Sequence, residues 1–362
     1  MRVVLVGGGT TGHISPMLAT CEALKDLDQG TQITCVGTAV GLETTLVPEA
    51  GFELALVDPV PLPRQISTEL FTLPARIWTS QHQATEILKK AQAEVVVGFG
   101  GYVCVPVYLA AWRMRIPTVV HEANAVPGLA NRIGSRFAKT VCVTFASTGL
   151  KDQVVTGMPM RQGIATLDRA QARTEARRAL GILDDDRVLL VSGGSQGALR
   201  LNEATMGALA SLDAAGIRVL HVTGKGNFET AEPIVAPDSY VRLPYVEKME
   251  QAYAAADLML ARSGAATVTE TACVGLPTIY VPLPHGNGEQ AKNAADVIEA
   301  GGGILIADAD LTSERLIVEV TKLFADEDAL TTMSRAARGV TPNDAAIRVA
   351  GFALAGGHSC HL

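Results

Sequence analysis

Short apolar runs rich in β-branched residues alternate along the chain with longer segments in which apolar and polar positions follow a helical period. The short runs predict buried strands, and the longer segments predict amphipathic helices. Strands that alternate with helices imply right-handed βαβ units and a parallel sheet. In the first half we predict strands at 2–6, 31–36, 52–57, 94–97, 117–120 and 140–144, and helices at 15–28, 41–50, 67–92, 102–114 and 127–137.

The pattern restarts near the middle of the chain. A strand at 188–192 precedes glycines and a helix at 198–213, and further strands are predicted at 217–222, 238–242, 257–260, 278–281 and 303–306. A glycine cluster follows the first strand of each half, at Gly7–Gly12 and at Gly193–Gly197. We therefore predict an α/β protein with two doubly wound parallel-sheet domains, residues 1–160 and 161–342, facing across a cleft, with a C-terminal helix within 343–362 packing back on the first.

Length and composition agree with this picture. A chain of 362 residues suits two domains, and its 48% apolar residues can form two cores. The net charge of −7 argues against a nucleic-acid partner, which requires a basic surface. Six cysteines without a CxxC pair indicate reduced thiols in a cytosolic protein.

Two apolar stretches have features of membrane or targeting segments. The run Val3–Val6 is too short for a signal peptide or an anchor. Val95–Trp112 has 18 residues without a charge, but glycines and Pro106 interrupt it. We predict a buried strand, a tight turn and a helix there, and a soluble protein.

The first glycine cluster matches the dinucleotide fingerprint, so a redox enzyme is one alternative. That fingerprint needs an acidic residue at the end of the second strand, and the chain has Gly37-Thr38-Ala39 there. The cluster can also be an ordinary tight turn that lets a helix approach the sheet. Two such clusters favour an anion-binding role, since backbone N–H groups at helix starts attract negative oxygens.

Two further segments carry groups suited to a nucleotide sugar. The segment Arg262–Glu270 begins a helix with small residues that expose backbone amides, and Glu270 on its second turn could hold a ribose diol. The loop Pro282–Gln290 offers amide and carboxylate groups for sugar hydroxyls. A surface glutamate and an ordinary Pro/Gly connector are the alternatives.

Six motifs together resemble the membrane-associated glycosyltransferases of peptidoglycan synthesis, a group within glycosyltransferase family 28 that has the GT-B fold. They are Gly8–His13, Gly98–Val103, His121–Asn124, Gly193–Ala198, Arg262–Ala265 and Glu289-Gln290 with Asn293. The resemblance implies transfer of N-acetylglucosamine from UDP-N-acetylglucosamine to undecaprenyl-pyrophosphoryl-N-acetylmuramoyl-pentapeptide. It implies that the second domain binds the donor and the first binds the lipid-linked acceptor.

The resemblance also implies roles for individual residues. His13 is the leading candidate for the base that deprotonates the acceptor hydroxyl, and Glu122 is the alternative. The implied donor-binding residues are Thr10, Gly12, Asn124, Arg161, Ser195, Val246, Ala265, Ala266, Thr267, Glu270, Glu289 and Gln290. The implied acceptor-binding residues are Gly9, Thr10, Thr11, Gly100, Gly101 and Tyr102.

Three positions depart from the family pattern. Thr11 stands where glycine is common, Met158 replaces an asparagine, and Glu289 replaces a glutamine. Thr11 affects the conformation of the acceptor loop, Met158 affects the interdomain contacts, and Glu289 affects one polar contact with the sugar. None of the three removes a group that the chemistry needs.

No cofactor and no tightly bound metal are expected. The acidic run Asp184–Asp186 precedes a strand, at the sheet end opposite the glycine turn, and is interpreted as a solvated turn. The segments 59–80 and 112–139 hold seven basic and two acidic residues beside apolar side chains. Such a combination fits the anionic inner face of a cell membrane. The predicted membrane-facing residues are Leu70, Phe71, Trp78 and Trp112.

Three other functions stay open on the sequence. The chain could be a GT-B transferase for another lipid or natural-product acceptor, a UDP-N-acetylglucosamine 2-epimerase, or a non-catalytic nucleotide-sugar binding protein. A transferase releases UDP only when an acceptor is added, whereas a 2-epimerase needs no acceptor. A non-catalytic binding protein would show no activity that a variant could lose.

Overall fold

The structure is a computed structural model that describes residues 1–60, 69–194, 197–224, 226, 237–285 and 287–356. Side chains in the helix that begins at Glu69 are described from Arg76 onward. The chain divides into two units, one formed by Met1–Arg161 with Pro342–Leu362 and the other by Gln162–Thr341.

The first unit contains a seven-stranded sheet whose strands are all paired in parallel, in the order β3-β2-β1-β4-β5-β6-β7. The central strands are buried on both faces, which explains their continuous apolar sequences. The strands are β1 Arg2–Val6, β2 Gln32–Gly37, β3 Glu53–Leu56, β4 Val95–Gly98, β5 Thr118–Glu122, β6 Thr140–Val143 and β7 Gln153–Val155.

Helices cover both faces of this sheet, and each face has its own apolar core. Val3 and Leu5 belong to one core, whereas Val4 and Val6 belong to the other, as the alternation of a strand requires. The last helix of the chain packs against the first helix, so the C-terminal segment completes this unit. The helices are Thr11–Leu27, Glu43–Glu49, Glu69–Lys90, Cys104–Met114, Leu129–Gly134 and Ala345–Leu354, with a 3-10 turn at Ala146–Thr148.

The second unit has a six-stranded parallel sheet in the order β10-β9-β8-β11-β12-β13. Its strands are β8 Arg187–Ser192, β9 Ile217–Val222, β10 Tyr240–Leu243, β11 Leu258–Ala261, β12 Thr278–Tyr280 and β13 Gly303–Leu305. Its helices are Gln162–Ala165, Arg169–Ala179, Leu199–Ala214, Met249–Ala255, Ala265–Val274, Glu289–Asn293, Ala295–Glu299, Ser313–Phe324 and Glu327–Arg338, with a 3-10 turn at Asp308–Asp310.

The predicted fold class of two doubly wound parallel sheets is confirmed. Each predicted strand is present, with ends within two residues of the expected ones. The edge strand β7 was not predicted, because Gln153–Val155 is only three residues long and has no continuous apolar run beyond it. The stretch Val95–Trp112 forms the predicted strand, turn and helix.

The first helix begins earlier than predicted. We expected a start near residue 15, with Pro16 in the first turn, but the helix starts at Thr11. The N–H groups of His13 and Ile14 both donate to the Thr10 carbonyl, at 3.1 and 3.2 Å, and close a turn before the proline. His13 therefore lies inside the first helical turn rather than in a loop before it.

The search for membrane-spanning helices gave none: within the described part of the chain, every helix is too short or too polar to cross a bilayer.

Arg177 joins the amino ends of two central strands in the second unit. Its side chain is fully buried and donates to the carbonyls of Ala255, Leu183, Asp184 and Asp186 at 2.7–3.0 Å. It also forms an ion pair with Asp257 at 3.0 Å. Asp257 precedes β11 and also accepts the N–H of Val188 in β8. Arg177 therefore fixes β8 and β11 relative to each other at their amino ends. The carboxyl ends of the same two strands lead into the glycine turn after β8 and into Gly264.

We expect Arg177→Met to lower the free energy of unfolding by about 3–5 kcal/mol, since it removes one partner of a buried ion pair and leaves several carbonyls without a donor. Urea unfolding measures the change. Arg178→Met is the matched control, because Arg178 is the next residue on the same helix and is exposed. Equal stabilities of the two variants would contradict this role for Arg177.

Candidate functional site

Two glycine turns meet at the carboxyl edge of the first sheet. They follow β1 and β4, which are neighbours at the point where the strand order reverses. Gly9, Gly100 and Gly101 have φ values of +86°, +102° and +88°, which favour glycine. A Cβ on Gly101 would lie 2.6 Å from the Gly8 carbonyl oxygen, so the close approach of the two turns also requires glycine.

His13 projects into this pair of turns. It is half-buried, and its Nδ1 lies 3.1 Å from the Gly8 carbonyl oxygen and 3.2 Å from Thr10 Oγ1. A carbonyl can only accept, so Nδ1 carries the hydrogen, and the lone pair of the neutral ring is on Nε2. A Cβ on Gly100 would lie 3.1 Å from Nε2, so glycine leaves that atom uncovered by a side chain. His13 can therefore accept a proton at Nε2.

Glu122, the alternative base, is held differently. It is only 3% exposed, and its Oε1 accepts the N–H of Asn124 at 2.9 Å. Its Oε2 accepts the N–H of Gly128 at 3.0 Å and the amide of Asn131 at 2.9 Å. Both oxygens are thus used to fix the loop after β5. This arrangement favours His13 as the base and gives Glu122 a structural role that places Asn124.

Three loops converge at this edge of the sheet. The Cβ position of Gly100 is 3.2 Å from the Asn131 amide, which in turn donates to Glu122. Gly9, one of the predicted acceptor-binding residues, donates its N–H to the carboxylate of Glu43 at 3.1 Å. The other predicted residues of this unit are half-buried or exposed: Thr10, Thr11, Gly12, Tyr102, Asn124 and Arg161.

In the second unit, the turn after β11 leads into a helix whose first backbone amides have no side-chain cap. Gly264 is the N-cap of the helix Ala265–Val274 and supplies no side-chain cap, so the amides of Ala265, Ala266 and Thr267 lack that partner. Ser263 is buried, and its Oγ has no hydrogen-bond partner among the described residues. Amides and a hydroxyl at a helix N-terminus form an environment for an anion.

Arg262 in the same motif has a structural role. Its guanidinium pairs with Asp308 and donates to the carbonyls of Val281 and Pro282. These bonds connect the turn after β11 to the end of the neighbouring strand β12.

The glycine turn after β8 has the conformation that its sequence predicts. Gly194 and Gly197 have φ values of +87° and +73°, and the N–H of Gly197 donates to the Gly194 carbonyl at 2.9 Å. The helix that follows starts at Leu199, and its N-cap Ala198 provides no side-chain hydrogen bond. Ser195 lies outside the described residues.

The predicted ribose and sugar contacts lie on neighbouring segments of the second unit. Glu270 is half-buried, and its Oε2 accepts the Tyr253 hydroxyl at 2.7 Å, which fixes the carboxylate. Gln290 Oε1 accepts the N–H of Leu283 at 3.0 Å and so holds the preceding loop. Glu289 and Val246 are half-buried. Their predicted contacts with a ligand stay predictions.

The first unit also has an aromatic surface with basic neighbours. Trp78 and Trp112 are 69% and 53% exposed, on two helices that pack together. Trp112 contacts Phe137, with ring centroids 5.2 Å apart. We call Trp78, Trp112 and Phe137, with the exposed Arg113, Arg136 and Lys139, the aromatic–basic surface. The side chains of Leu70 and Phe71, predicted to belong to it, lie outside the described residues.

Within the ranges that the structure describes, no group of three or more His, Cys, Asp or Glu side chains is arranged to hold a metal ion. In the acidic run 184–186, Asp186 pairs with Arg218 at 2.6 Å and accepts the N–H of Leu183 at 2.9 Å, so this carboxylate stabilises the turn.

Sequence reasoning missed Glu43 and Asn131. Only tertiary contacts identify them, because Glu43 accepts from the turn at Gly9 and Asn131 donates to Glu122. A glutamate surrounded by Gly37, Gly41 and Thr38 was the available signal for Glu43, since small residues make room for a buried side chain.

Two family models match the chain. The glycosyltransferase family 28 N-terminal domain matches residues 3–143, and the glycosyltransferase family 28 C-terminal domain matches residues 188–349. The first match lies within the first unit, whereas the second covers 188–341 of the second unit and continues into 342–349, which belong to the first.

Curated relatives and a solved structure cover almost the whole chain. The UDP-N-acetylglucosamine–N-acetylmuramyl-(pentapeptide) pyrophosphoryl-undecaprenol N-acetylglucosamine transferase of Mycobacterium avium is 52% identical over 98% of this chain and 88% of its own. The transferase of the same name from a Nocardioides species is 49% identical over 98% of both chains. The crystal structure of Acinetobacter baumannii MurG has a TM-score of 0.77 and 30% identity, covering 97% of this chain and 98% of that chain.

We expect Glu122→Gln to lower the free energy of unfolding by about 1–3 kcal/mol. Both carboxylate oxygens accept from N–H groups, and the NH2 of a glutamine would replace one of them with a donor that faces another donor. Urea unfolding of the purified protein measures this. Glu86→Gln is the control, since Glu86 is exposed and pairs with Lys89 at the surface. An E122Q variant with the stability of the wild type would contradict the structural role of Glu122.

Proposed function

Since the chain belongs to glycosyltransferase family 28, we propose that it transfers N-acetylglucosamine from UDP-N-acetylglucosamine to the lipid-linked N-acetylmuramyl-pentapeptide for which its relatives are named. The family predicted from the motifs is confirmed, and the chain is a glycosyltransferase. The observation that carries the proposed substrates is the near full-length identity of about 50% to transferases of this name. The same observation disfavours a different acceptor and a 2-epimerase.

We propose that the second unit binds the donor. Its amides at Ala265–Thr267 have no side-chain cap and the Ser263 hydroxyl has no partner among the described residues, which supports assigning them to the pyrophosphate. An N-terminal helix dipole adds about 0.3–2 kcal/mol to such binding. Glu270, fixed by Tyr253, is assigned to the ribose. Because the Gln290 oxygen is used by Leu283, its N–H2 end is the part assigned to the sugar. Ser195 and Arg161 are assigned to the diphosphate from the motif.

The reaction we propose is a single inverting displacement. The C4 hydroxyl oxygen of the acceptor forms a bond to C1 of the sugar, while the bond from C1 to the diphosphate oxygen breaks. The hydroxyl proton moves to Nε2 of His13, and UDP leaves with the bonding electron pair. His13 suits this role because Nδ1 is used by the Gly8 carbonyl and Nε2 has the lone pair.

We propose that the first unit binds the acceptor and works at the inner face of the cell membrane. The aromatic–basic surface supports this, since exposed indole rings beside arginine and lysine suit insertion among anionic headgroups. An acceptor with a polyprenyl chain requires an enzyme that can reach that surface.

Labelled UDP-N-acetylglucosamine and a short-chain lipid-linked acceptor analogue test the reaction directly. We expect a β-1,4-linked product, and we expect His13→Ala to lower kcat by about 10²–10⁴, the usual contribution of a general base. Calorimetry should show unchanged UDP affinity in this variant, which confirms that the donor unit is folded.

Other outcomes would contradict the proposal in different ways. Sugar conversion without acceptor would indicate an epimerase. Saturable UDP binding without any sugar transfer, by both the wild type and His13→Ala, would indicate a non-catalytic binding protein. Full transfer activity of His13→Ala would be consistent with the proposed reaction but would contradict the role of His13 as its base.

For the membrane surface, we expect the Trp78→Ser, Trp112→Ser double variant to bind anionic liposomes about tenfold more weakly, as a loss of about 1.4 kcal/mol implies. Cosedimentation with vesicles measures the binding, and UDP-N-acetylglucosamine affinity should not change. Leu183→Ser is the control, because Leu183 is 63% exposed but lies in the second unit. Equal liposome binding by the double variant and the wild type would contradict this surface.

A further inference from the structure

Glu43 is a fully buried carboxylate beside the glycine turn that precedes His13. It begins the helix after β2 and is 0% exposed, although glutamate is rarely buried without partners. The N–H and hydroxyl of Thr38 both donate to its Oε1 at 2.9 Å, and the N–H of Gly9 donates to its Oε2 at 3.1 Å. Glu43 therefore connects the end of the second strand to the first glycine turn.

Glycines around Glu43 make this burial possible. A Cβ on Gly8 would lie 2.6 Å from its Oε1, and a Cβ on Gly37 or Gly41 would overlap the side chain. The space for this carboxylate thus depends on three glycines from two different turns.

The hydrogen bonds keep the group ionised. Burial raises the pKa of the Glu43 carboxyl, but the N–H groups of Thr38, Glu43 itself and Gly9 outweigh it, so the pKa lies below its ordinary value. A negative charge is therefore present beside the turn at neutral pH.

The contact with Gly9 reaches His13 through one peptide group. The N–H of Gly9 and the C=O of Gly8 belong to the same peptide unit. Its N–H donates to Glu43 and its C=O accepts from Nδ1 of His13, at 3.1 Å in each case. Hydrogen bonds in such a chain strengthen one another, since a peptide that donates to an anion becomes a better acceptor at its oxygen.

We propose that Glu43 is a positioning residue for His13 and acts through the Gly8–Gly9 peptide. It holds the carbonyl that fixes the hydrogen on Nδ1, which leaves the lone pair on Nε2. It also stabilises the imidazolium that forms when Nε2 takes the acceptor proton. In a Ser-His-Asp triad the carboxylate contacts Nδ1 of the histidine directly. Here the Gly8–Gly9 peptide group lies between the carboxylate of Glu43 and Nδ1 of His13.

The second part of this proposal rests on the proposed function, whereas the hydrogen-bond chain does not. A measurement on the resting protein can therefore fail or succeed independently of any transfer activity.

The first test is the tautomer of His13 in the wild type. Protein labelled with ¹⁵N-histidine is measured by NMR at a pH of about 8.5, where a histidine side chain is ordinarily neutral. The His13 resonances are assigned by their loss in His13→Asn. We expect Nδ1 to carry the hydrogen in the major form. A major form with the hydrogen on Nε2 would overturn the proposal without any variant of Glu43.

The second test is Glu43→Gln, which keeps the size of the side chain and removes its charge. We expect a mixed tautomer at His13 and a kcat about tenfold lower, within the usual range of losses in general-base catalysis. The KM for UDP-N-acetylglucosamine should stay within about twofold, because Glu270, Gln290 and the amides Ala265–Thr267 of the second unit, which are proposed to bind the donor, are unchanged.

Thr38→Val is the matched control. It removes the hydroxyl that donates to Oε1 but leaves the bond between Oε2 and Gly9. We expect it to lower the melting temperature without altering the His13 tautomer or kcat. If both variants keep the wild-type tautomer and lose activity only in proportion to their unfolded fraction, Glu43 is structural and the proposal is wrong.

Discussion

The close approach of two backbone turns at the carboxyl edge of the first sheet determines the rest of the candidate site. The turn after β1 and the turn after β4 come together because their strands are neighbours where the strand order reverses. Gly101 lies against the Gly8 carbonyl, and no residue with a Cβ fits there. The same carbonyl accepts from His13, so the position of the proposed base follows from backbone packing.

Buried charged groups hold the loops of both units, but they do so at opposite ends of the strands. In the first unit, Glu43 and Glu122 lie near the carboxyl ends and accept N–H groups from the loops that form the site. In the second unit, the half-buried Arg169 and the fully buried Arg177 lie near the amino ends. Arg169 donates to the carbonyls of Tyr253 and Gly275, and Arg177 donates to that of Ala255. Burial lowers the pKa of Arg169 to about 10, but it remains a cation.

This division leaves the backbone amides at the carboxyl edge of the second sheet available for a ligand. Arg169 and Arg177 fix the strands from the other end, and Nη1 of Arg262 is bound to Asp308 and nearby carbonyls. At the start of the helix Ala265–Val274, backbone N–H groups without a side-chain cap lie beside the Ser263 hydroxyl, which has no partner among the described residues. Such groups stabilise a leaving diphosphate through fixed dipoles, with little reorganisation during the reaction.

The sequence by itself determined the fold class, the family and, to within two residues, every described strand except β7, because periodicity and glycine placement are local properties. It also supplied the segments assigned to the proposed site. The motifs made His13 the leading candidate for the base and Glu122 the alternative. Only the tertiary structure shows how each is held: both Glu122 oxygens accept from the loop 124–131, and the Gly8 carbonyl lies at Nδ1 of His13. It alone revealed Glu43, because a hydrogen bond between residues 34 positions apart leaves no periodic pattern in the chain.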